Sequence, residues 1–263
     1  MMKRESKDDL LFLQRLDELA TRSVERYCPE FTHFLDGRNL RIAIDYLKKY
    51  SESVILILFG GFQEYERCVV GMFPRDVYSQ ADENEMYSMF DVTALKITGS
   101  GFSTFSHRDC MGSILALGVK RETMGDIFVS ADGRSAYVCL KNVTAKYLVE
   151  NLEYISRDKI KVECIDFGKL PIVERKFSVI TGTVASERLD CIIALATNLS
   201  REKSKQLISA GLVNVNHFEE TKCDTEICEG DILSVRGYGR YVVKELGGIT
   251  RKGRNRVIVH KMI

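Results

Sequence analysis

The chain has 263 residues, 45% of them hydrophobic and 29% charged, which suits an ordinary globular protein of two or three small domains and argues against a disordered or fibrous one. Its longest apolar run, Val54 to Phe59, is strand-sized and far short of the ~18–20 residues that span a bilayer. Met1-Met2-Lys3-Arg4-Glu5 opens into a charged amphipathic segment instead of an apolar signal core, so a cytoplasmic protein without a membrane span is expected. The net charge of +1 hides an asymmetry: residues 1–91 hold 12 Lys and Arg against 17 Asp and Glu, and residues 92–263 hold 26 against 20. A mildly basic two-thirds is compatible with a polyanionic partner. The 8 cysteines are scattered without a C-x-x-C pair, and none of the 4 histidines stands at ligand spacing from one. That pattern argues against a zinc site or a disulfide framework, and no cofactor is expected.

In chain order, Leu10, Leu13, Leu16, Leu19 and Ala20 share one face of a helix that Cys28-Pro29 ends. A second helical pattern covers about residues 38–50. Residues 54–59 and 66–73 read as strands around Gly60-Gly61, and residues 74–91 are polar and aperiodic, which places a boundary there. The next segment begins with a strand over residues 92–98 and a helix over 106–117, stopped by Gly118. Strands over 127–130 and 135–140 flank a hairpin at Ala131-Asp132-Gly133-Arg134. A helix over 143–155 follows, with Val149, Leu152 and Ile155 inward, and a strand over 160–167 closes the unit. Strand–helix–strand–strand–helix–strand is the order of a ferredoxin-like split βαβ domain. RNA-recognition motifs share this topology, but their aromatic strand signature is missing, with only Tyr137 in the right region.

From about Phe177, Ser186 is the expected cap of a helix carrying Leu189, Ile192, Ile193 and Ala196, and Ser200 the cap of a second helix with Leu207 and Ile208 inward, ended by Gly211. Short strands are expected at 212–216, 232–235 and 241–243. The second helix carries Arg201, Lys203 and Lys205, and Arg201 and Lys205 project together as i, i+4 neighbours. Lys203 stands where a capping box would place Glu, a cation where a helix N-terminus favours an anion. A bound phosphate would relieve this conflict. Asn214 and Asn216, two apart, would share a strand face. Arg236 and Arg240 bracket a glycine-rich turn, and Arg251, Lys252, Arg254 and Arg256 add further cations.

Taken together, Arg188-Leu189-Asp190, Ser200-Arg201, Leu207-Ile208, Gly211-Leu212-Val213, Val215-Asn216, Gly230-Asp231 and Arg236-Gly237-Tyr238-Gly239-Arg240 resemble the RNA-binding module of the ribosomal protein S-four superfamily. Two positions depart from it: His217 replaces a glycine and Ser204 a small alanine. Upstream, Phe34-Leu35-Asp36, Ile97-Thr98-Gly99, Ser106-His107-Arg108-Asp109, Gly118-Val119-Lys120-Arg121 and Gly125-Asp126 resemble the YlmH family of bacterial ribosome-associated proteins. The resemblance implies an α+β chain of three small domains. These are an N-terminal α/β domain (1–78), a central ferredoxin-like, RRM-like βαββαβ domain (90–170) and an S-four-like RNA-binding domain (180–263). It implies ribosomal RNA and tRNA on the large ribosomal subunit as partners, in the rescue of stalled nascent chains, for a protein monomeric in solution. The expected RNA contacts are Arg188, Ser200, Arg201, Lys203, Lys205, Gln206, Asn214, Asn216, Lys222, Arg236 and Arg240 in the last domain, with His107, Arg108, Lys120 and Arg121 in the central one.

No catalytic constellation is expected. Consecutive residues Ser106 to Asp109 on one helix point in different directions and cannot converge as a triad, so a capping box is the better reading. Arg188-Leu189-Asp190 resembles the catalytic run of pseudouridine synthases, but the Thr-Ser-Gly that normally follows is absent. An RNA-modifying enzyme of that type and an RNA-independent protein adaptor, docking through the acidic first segment, are the competing readings.

Overall fold

The computed structural model describes residues 7–172, 177–250 and 253–262. They fall into two compact units, divided near residue 173.

The first unit opens with helix α1 (Lys7–Arg26), whose Leu13, Leu16, Leu19 and Ala20 are buried; Leu10, expected on the same face, is exposed, and its turn is tied down instead by the Asp9–Arg38 ion pair to the next helix. Strand β1 (Glu30–Phe31) and helix α2 (Gly37–Leu47) follow. Asp36 caps α2 by accepting the Asn39 amide at 2.9 Å. Strands β2 (Val54–Phe59) and β3 (Val69–Pro74) complete an antiparallel sheet in the order β1-β3-β2. Strand β3 is buried along its whole length because both its faces are covered. Val70 and Met72 pack with α1 and α2, while Val69 and Phe73 enter a second apolar layer on the other side.

Residues 74–91 are not the spacer their polarity suggests. They form short helices α3 (Arg75–Tyr78) and α4 (Glu83–Ser88), and bury Met86 and Phe90 in that second layer. Phe90 lies 4.8 Å from Phe31, 5.1 Å from Phe59 and 6.1 Å from Phe73, ring centroid to centroid. Such pairs add ~0.5–1.5 kcal/mol each beyond their buried area. The boundary expected between 78 and 90 is therefore crossed by shared core.

Strand β4 (Val92–Gly99), helix α5 (His107–Ala116), strands β5 (Met124–Val129) and β6 (Ser135–Lys141), helix α6 (Asn142–Asn151) and strands β7 (Tyr154–Ile155) and β8 (Asp158–Ile165) build the next sheet. Its antiparallel order β5-β6-β4-β8-β7 contains the split βαβ arrangement, with β7 added at one edge. Helix α6 stops at Asn151, four residues before the expected end. Ile155 is buried from β7 instead of from the helix, and Val149 is exposed. Leu95, Ile97, Val138 and Leu140 face α5 and α6; Ala94 and Cys139 face the aromatic layer under the first sheet.

The second unit contains strand β9 (Phe177–Val184), helices α7 (Leu189–Thr197) and α8 (Arg201–Ser209), and strands β10 (Val213–Val215), β11 (Phe218–Glu219), β12 (Ile232–Val235), β13 (Gly239–Ile249) and β14 (Asn255–Met262). The sheet order is β11-β10-β12-β13-β14-β9, all antiparallel. The C-terminal strand pairing with β9 is long, and local sequence had suggested only short strands here. Leu189, Ile192, Ile193 and Ile208 pack on Leu233, Tyr241, Val257 and Val259. Arg188, not Ser186, is the N-cap of α7, and the Ser186 hydroxyl lies 3.5 Å from the Cys191 sulfur. Asn198 ends α7 in the left-handed conformation, φ 55°.

Candidate nucleic-acid interface

The expected RNA contacts of the second unit separate into two groups. The first lies at the start of the helices. Arg188 Nε donates to Asp190 Oδ1 at 3.2 Å, and Arg201 Nη2 donates to Asp190 Oδ2 at 2.7 Å. Asp190 is fully buried, while the arginine side chains are 42% and 51% exposed. Burial alone would raise the Asp190 pKa, but hydrogen bonding and charge from Arg201, with Arg188 behind it, hold the carboxyl below its ordinary value. The loop after β11 closes on the same place: Cys223 O accepts the Asp190 amide, and the Cys223 sulfur lies 3.9 Å from Lys205 O. Arg188, Arg201, Lys205 and Lys222 are thereby gathered in one neighbourhood.

Around it, Lys203, Lys205, Gln206 and Lys222 are exposed, and the Ser200 hydroxyl accepts the Lys203 amide at 3.3 Å as helix cap. Lysine ammonium groups on an exposed first turn are suited to phosphate contact. Arg201 differs from the expectation of a simple solvated cation, since one edge of its guanidinium anchors a buried carboxylate.

The second group follows the sheet. Asn214 pairs with Ser234 and Ser234 with Arg240, so these three side chains share one face, with Glu219 beyond Asn214. Their neighbours Val213, Leu233, Val235 and Tyr241 point the other way, into the core under α7 and α8. Asn214 and Arg240 thus lie on the face opposite the helices, and the structure does not bring them together with the lysines of α8. Asn216 does not share the Asn214 face, because β10 ends at Val215. Its amide donates to Asp231 at 2.7 Å and accepts from the Ile232 N–H at 3.0 Å, fastening the turn. Asn216 and His217 have φ of 50° and 72°, the two left-handed residues of a tight hairpin. This is where glycine is ordinarily preferred, so the sequence departure at His217 leaves the turn intact with strain in it. Arg236 is exposed after β12. Arg254 donates to the Thr183 hydroxyl and carbonyl, whereas Arg256 is exposed; Arg251 and Lys252 lie outside the described residues.

In the first unit, His107 and Arg108 are exposed at the start of α5, and Lys120 and Arg121 follow its far end, ~15 Å of helix away. Ser106 and Asp109 form the reciprocal capping box, which engages both side chains in the helix start. Arg121 is half-buried and donates to the carbonyls of Met124 and Gly125 at 3.4 and 3.0 Å. Burial, reinforced by Arg67, lowers its pKa. It is chiefly a structural clasp. The face of the central sheet opposite α5 and α6, where an RNA-recognition motif stacks bases, packs in part against the aromatic layer. Tyr137 and Phe128 belong to that packing. The likeness to an RRM is therefore one of topology; exposed basic residues stand at helix ends and loops and, on β8, at Lys161, which pairs with Glu163.

The sequence reading missed Asp190 as an anchor for two arginines, although its place two residues after Arg188 was a usable signal. It also missed Arg67, which donates to the carbonyls of Phe34, Arg121 and Met124 across 33 to 57 residues of chain. Nothing local marks such a long-range clasp. Asp190 bears on catalysis too: a carboxylate with no exposed surface, bonded by two guanidiniums, is not placed to touch a substrate.

Comparison with known proteins gives a consistent picture. Residues 86–169 match the family model described as "Putative RNA-binding domain in YlmH". Over 252 residues the chain is 29% identical to the Ribosome-associated protein quality control protein P2 of Bacillus subtilis (strain 168), covering 95% of this chain and 94% of the relative. The solved structure of the cell division protein ylmH from Streptococcus pneumoniae shares the fold with a TM-score of 0.52 at 22% identity, over 65% of this chain and 99% of its own. Residues 86–169 thus match a YlmH RNA-binding family model, and over nearly its whole length the chain is similar to a ribosome-associated quality control protein.

Proposed function

We propose that this chain is a non-catalytic RNA-binding protein of the ribosome, contacting ribosomal RNA and tRNA on the large subunit during rescue of stalled nascent chains. The observation that carries this reading is the end-to-end similarity to a ribosome-associated quality control protein, together with the RNA-binding family match. The second unit, read as an S-four-like module, supplies the phosphate contacts through Lys203, Lys205, Lys222 and the free edges of Arg188 and Arg201. His107, Arg108 and Lys120 add a tethered second contact, and linkage of the two raises avidity above either alone. With about 5 phosphates neutralised, log affinity falls against log salt with a slope of roughly −3.5 to −4.5.

The test is sedimentation of the tagged protein in lysate, at low and high salt, with and without RNase. Comigration with large-subunit or whole-ribosome fractions, lost at high salt or after RNase, is the expected result. A position at the top of the gradient under every condition defeats the proposal, and ribosome association that survives removal of RNA favours the adaptor reading.

A further inference from the structure

The first unit holds a cleft of about 670 Å³, within the range of ~300–1,000 Å³ usual for small-molecule sites. It has two chemical characters. Phe12 of α1, over the buried Leu16 and Leu19, gives it an apolar side, and Arg15, Lys120, Arg67 and Arg121 give it four cations against two carboxylates, Asp36 and Glu122. Half-buried cations in proteins are ordinarily matched to carboxylates. Here Arg67 and Arg121 are held by backbone carbonyls: Arg67 by those of Met124, Phe34 and Arg121, and Arg121 by those of Met124 and Gly125. The Nε and Nη2 groups of Arg121 have no partner among the described residues, and their positive charge is only partly offset.

His33 lines the same cleft, and its Nδ1 is buried with no hydrogen-bond partner among the described residues. Such buried polar atoms are nearly always paired in folded proteins. Burial lowers the His33 pKa; Glu122 opposes this, and Arg15, Lys141 and Lys120 add to it, so Arg15 and Lys120 act on the same small volume. The partly exposed Phe12 ring favours a ligand that carries an apolar or aromatic group beside its phosphate, since a solvated inorganic ion gains nothing from it.

We propose that this cleft binds a nucleoside phosphate, its phosphate held by Arg15, Lys120 and Arg121 and its base lying against Phe12. The same chemistry is offered by a free mononucleotide and by the terminal nucleotide of an RNA. The site belongs to the first unit alone, so it stands or falls separately from ribosome association.

The test is calorimetric titration of the full chain with AMP, adenosine and inorganic phosphate, beside a tetranucleotide RNA with and without a 5′-phosphate. AMP should bind more tightly than adenosine or phosphate, and the double variant Arg15→Glu/Lys120→Glu should lose at least about tenfold in AMP affinity. Both side chains are exposed. Should that variant fail to fold, as judged by its thermal transition, Arg15→Gln/Lys120→Gln should give a smaller loss of the same sign. Preference for AMP over the phosphorylated RNA identifies a free nucleotide; tighter, phosphate-dependent binding of the RNA identifies a strand end. Three results overturn the proposal: no binding of AMP and no effect of the RNA's phosphate, phosphate binding as tightly as AMP, or folded variants that bind as the parent does.

Discussion

Arg201 stands in an S-four-like pattern where RNA contact is expected, yet in the structure it is first a partner of Asp190, and Arg201→Ala separates the two roles. The substitution deletes a 2.7 Å charge-assisted hydrogen bond to a carboxylate with no exposed surface. A hydrogen bond to a charged group contributes ~1.5–3 kcal/mol, and stripping a buried charge of every partner costs ~3–5 kcal/mol. Arg188 remains at 3.2 Å, so the lower range applies, and a loss of about 2 kcal/mol is expected. For a unit of this size, ~4–8 °C accompanies each kcal/mol, so its transition should fall by roughly 8–16 °C. Scanning calorimetry of the full chain, following the transition of the second unit, measures it. The pair is then tested by combining Arg201→Ala with Asp190→Asn: once the carboxylate is gone, the arginine should matter much less. A transition unmoved within about 2 °C, with lost RNA affinity, would refute the anchoring role and return Arg201 to a purely RNA-facing one.

Lys203→Glu should move stability and binding in opposite directions. It completes a capping box on α8, which adds a few tenths of a kcal/mol, while RNA affinity drops and the salt slope shrinks by about 1; anisotropy titrations at several salt concentrations decide it, and unchanged affinity removes the lysine from the interface. The folded Asp190 pKa is depressed, so the stability it brings is complete above the unfolded carboxylate value near ~3.9 and is lost as pH falls through the lower folded value. The second unit of Asp190→Asn should therefore lack that part of the parent's acid destabilisation in melts taken from pH 6 downwards. Gly61 has φ 86°, and a Cβ there would overlap the Cys139 sulfur. Gly61→Ala should cost about 2–4 kcal/mol, read by thermal melting, and a neutral result would show that the two sheets do not seal against each other. Burial pushes the Cys68 and Cys139 thiols up to about 12 and the Cys110 thiol to about 11, whereas Cys28, Cys164 and Cys228 are exposed. Alkylation at pH 8 in native buffer should label the exposed three promptly, and Cys68, Cys110, Cys139 and the likewise buried Cys191 only after unfolding.

Much of the architecture is legible wherever a local period meets a local cap. Leu13, Leu16 and Leu19 mark α1, Ser200 marks α8, and Ala131-Asp132-Gly133-Arg134 marks the hairpin between β5 and β6, because each of these is decided by residues within a few positions of one another. The family likeness is legible for the same reason, being carried by short motifs. Strand β9 and its partner β14 are not, since their pairing joins residues some 80 positions apart, such as Phe177 and Met262, and no local pattern anticipates it. The polar stretch 74–91 reads as a spacer because its few apolar residues lack a period, yet Met86 and Phe90 find partners only when the sheets come together.

The candidate interface divides along the same line. Chain order alone identifies the cations of α8, since neighbouring charges on one helix must emerge near each other. Whether a guanidinium is available is settled by groups outside its own element: Asp190 beside Arg201, and Thr183 beside Arg254. Local sequence thus names the charges, while tertiary packing decides which remain open to an anion, because a buried carboxylate or carbonyl nearby satisfies a guanidinium as well as a phosphate would.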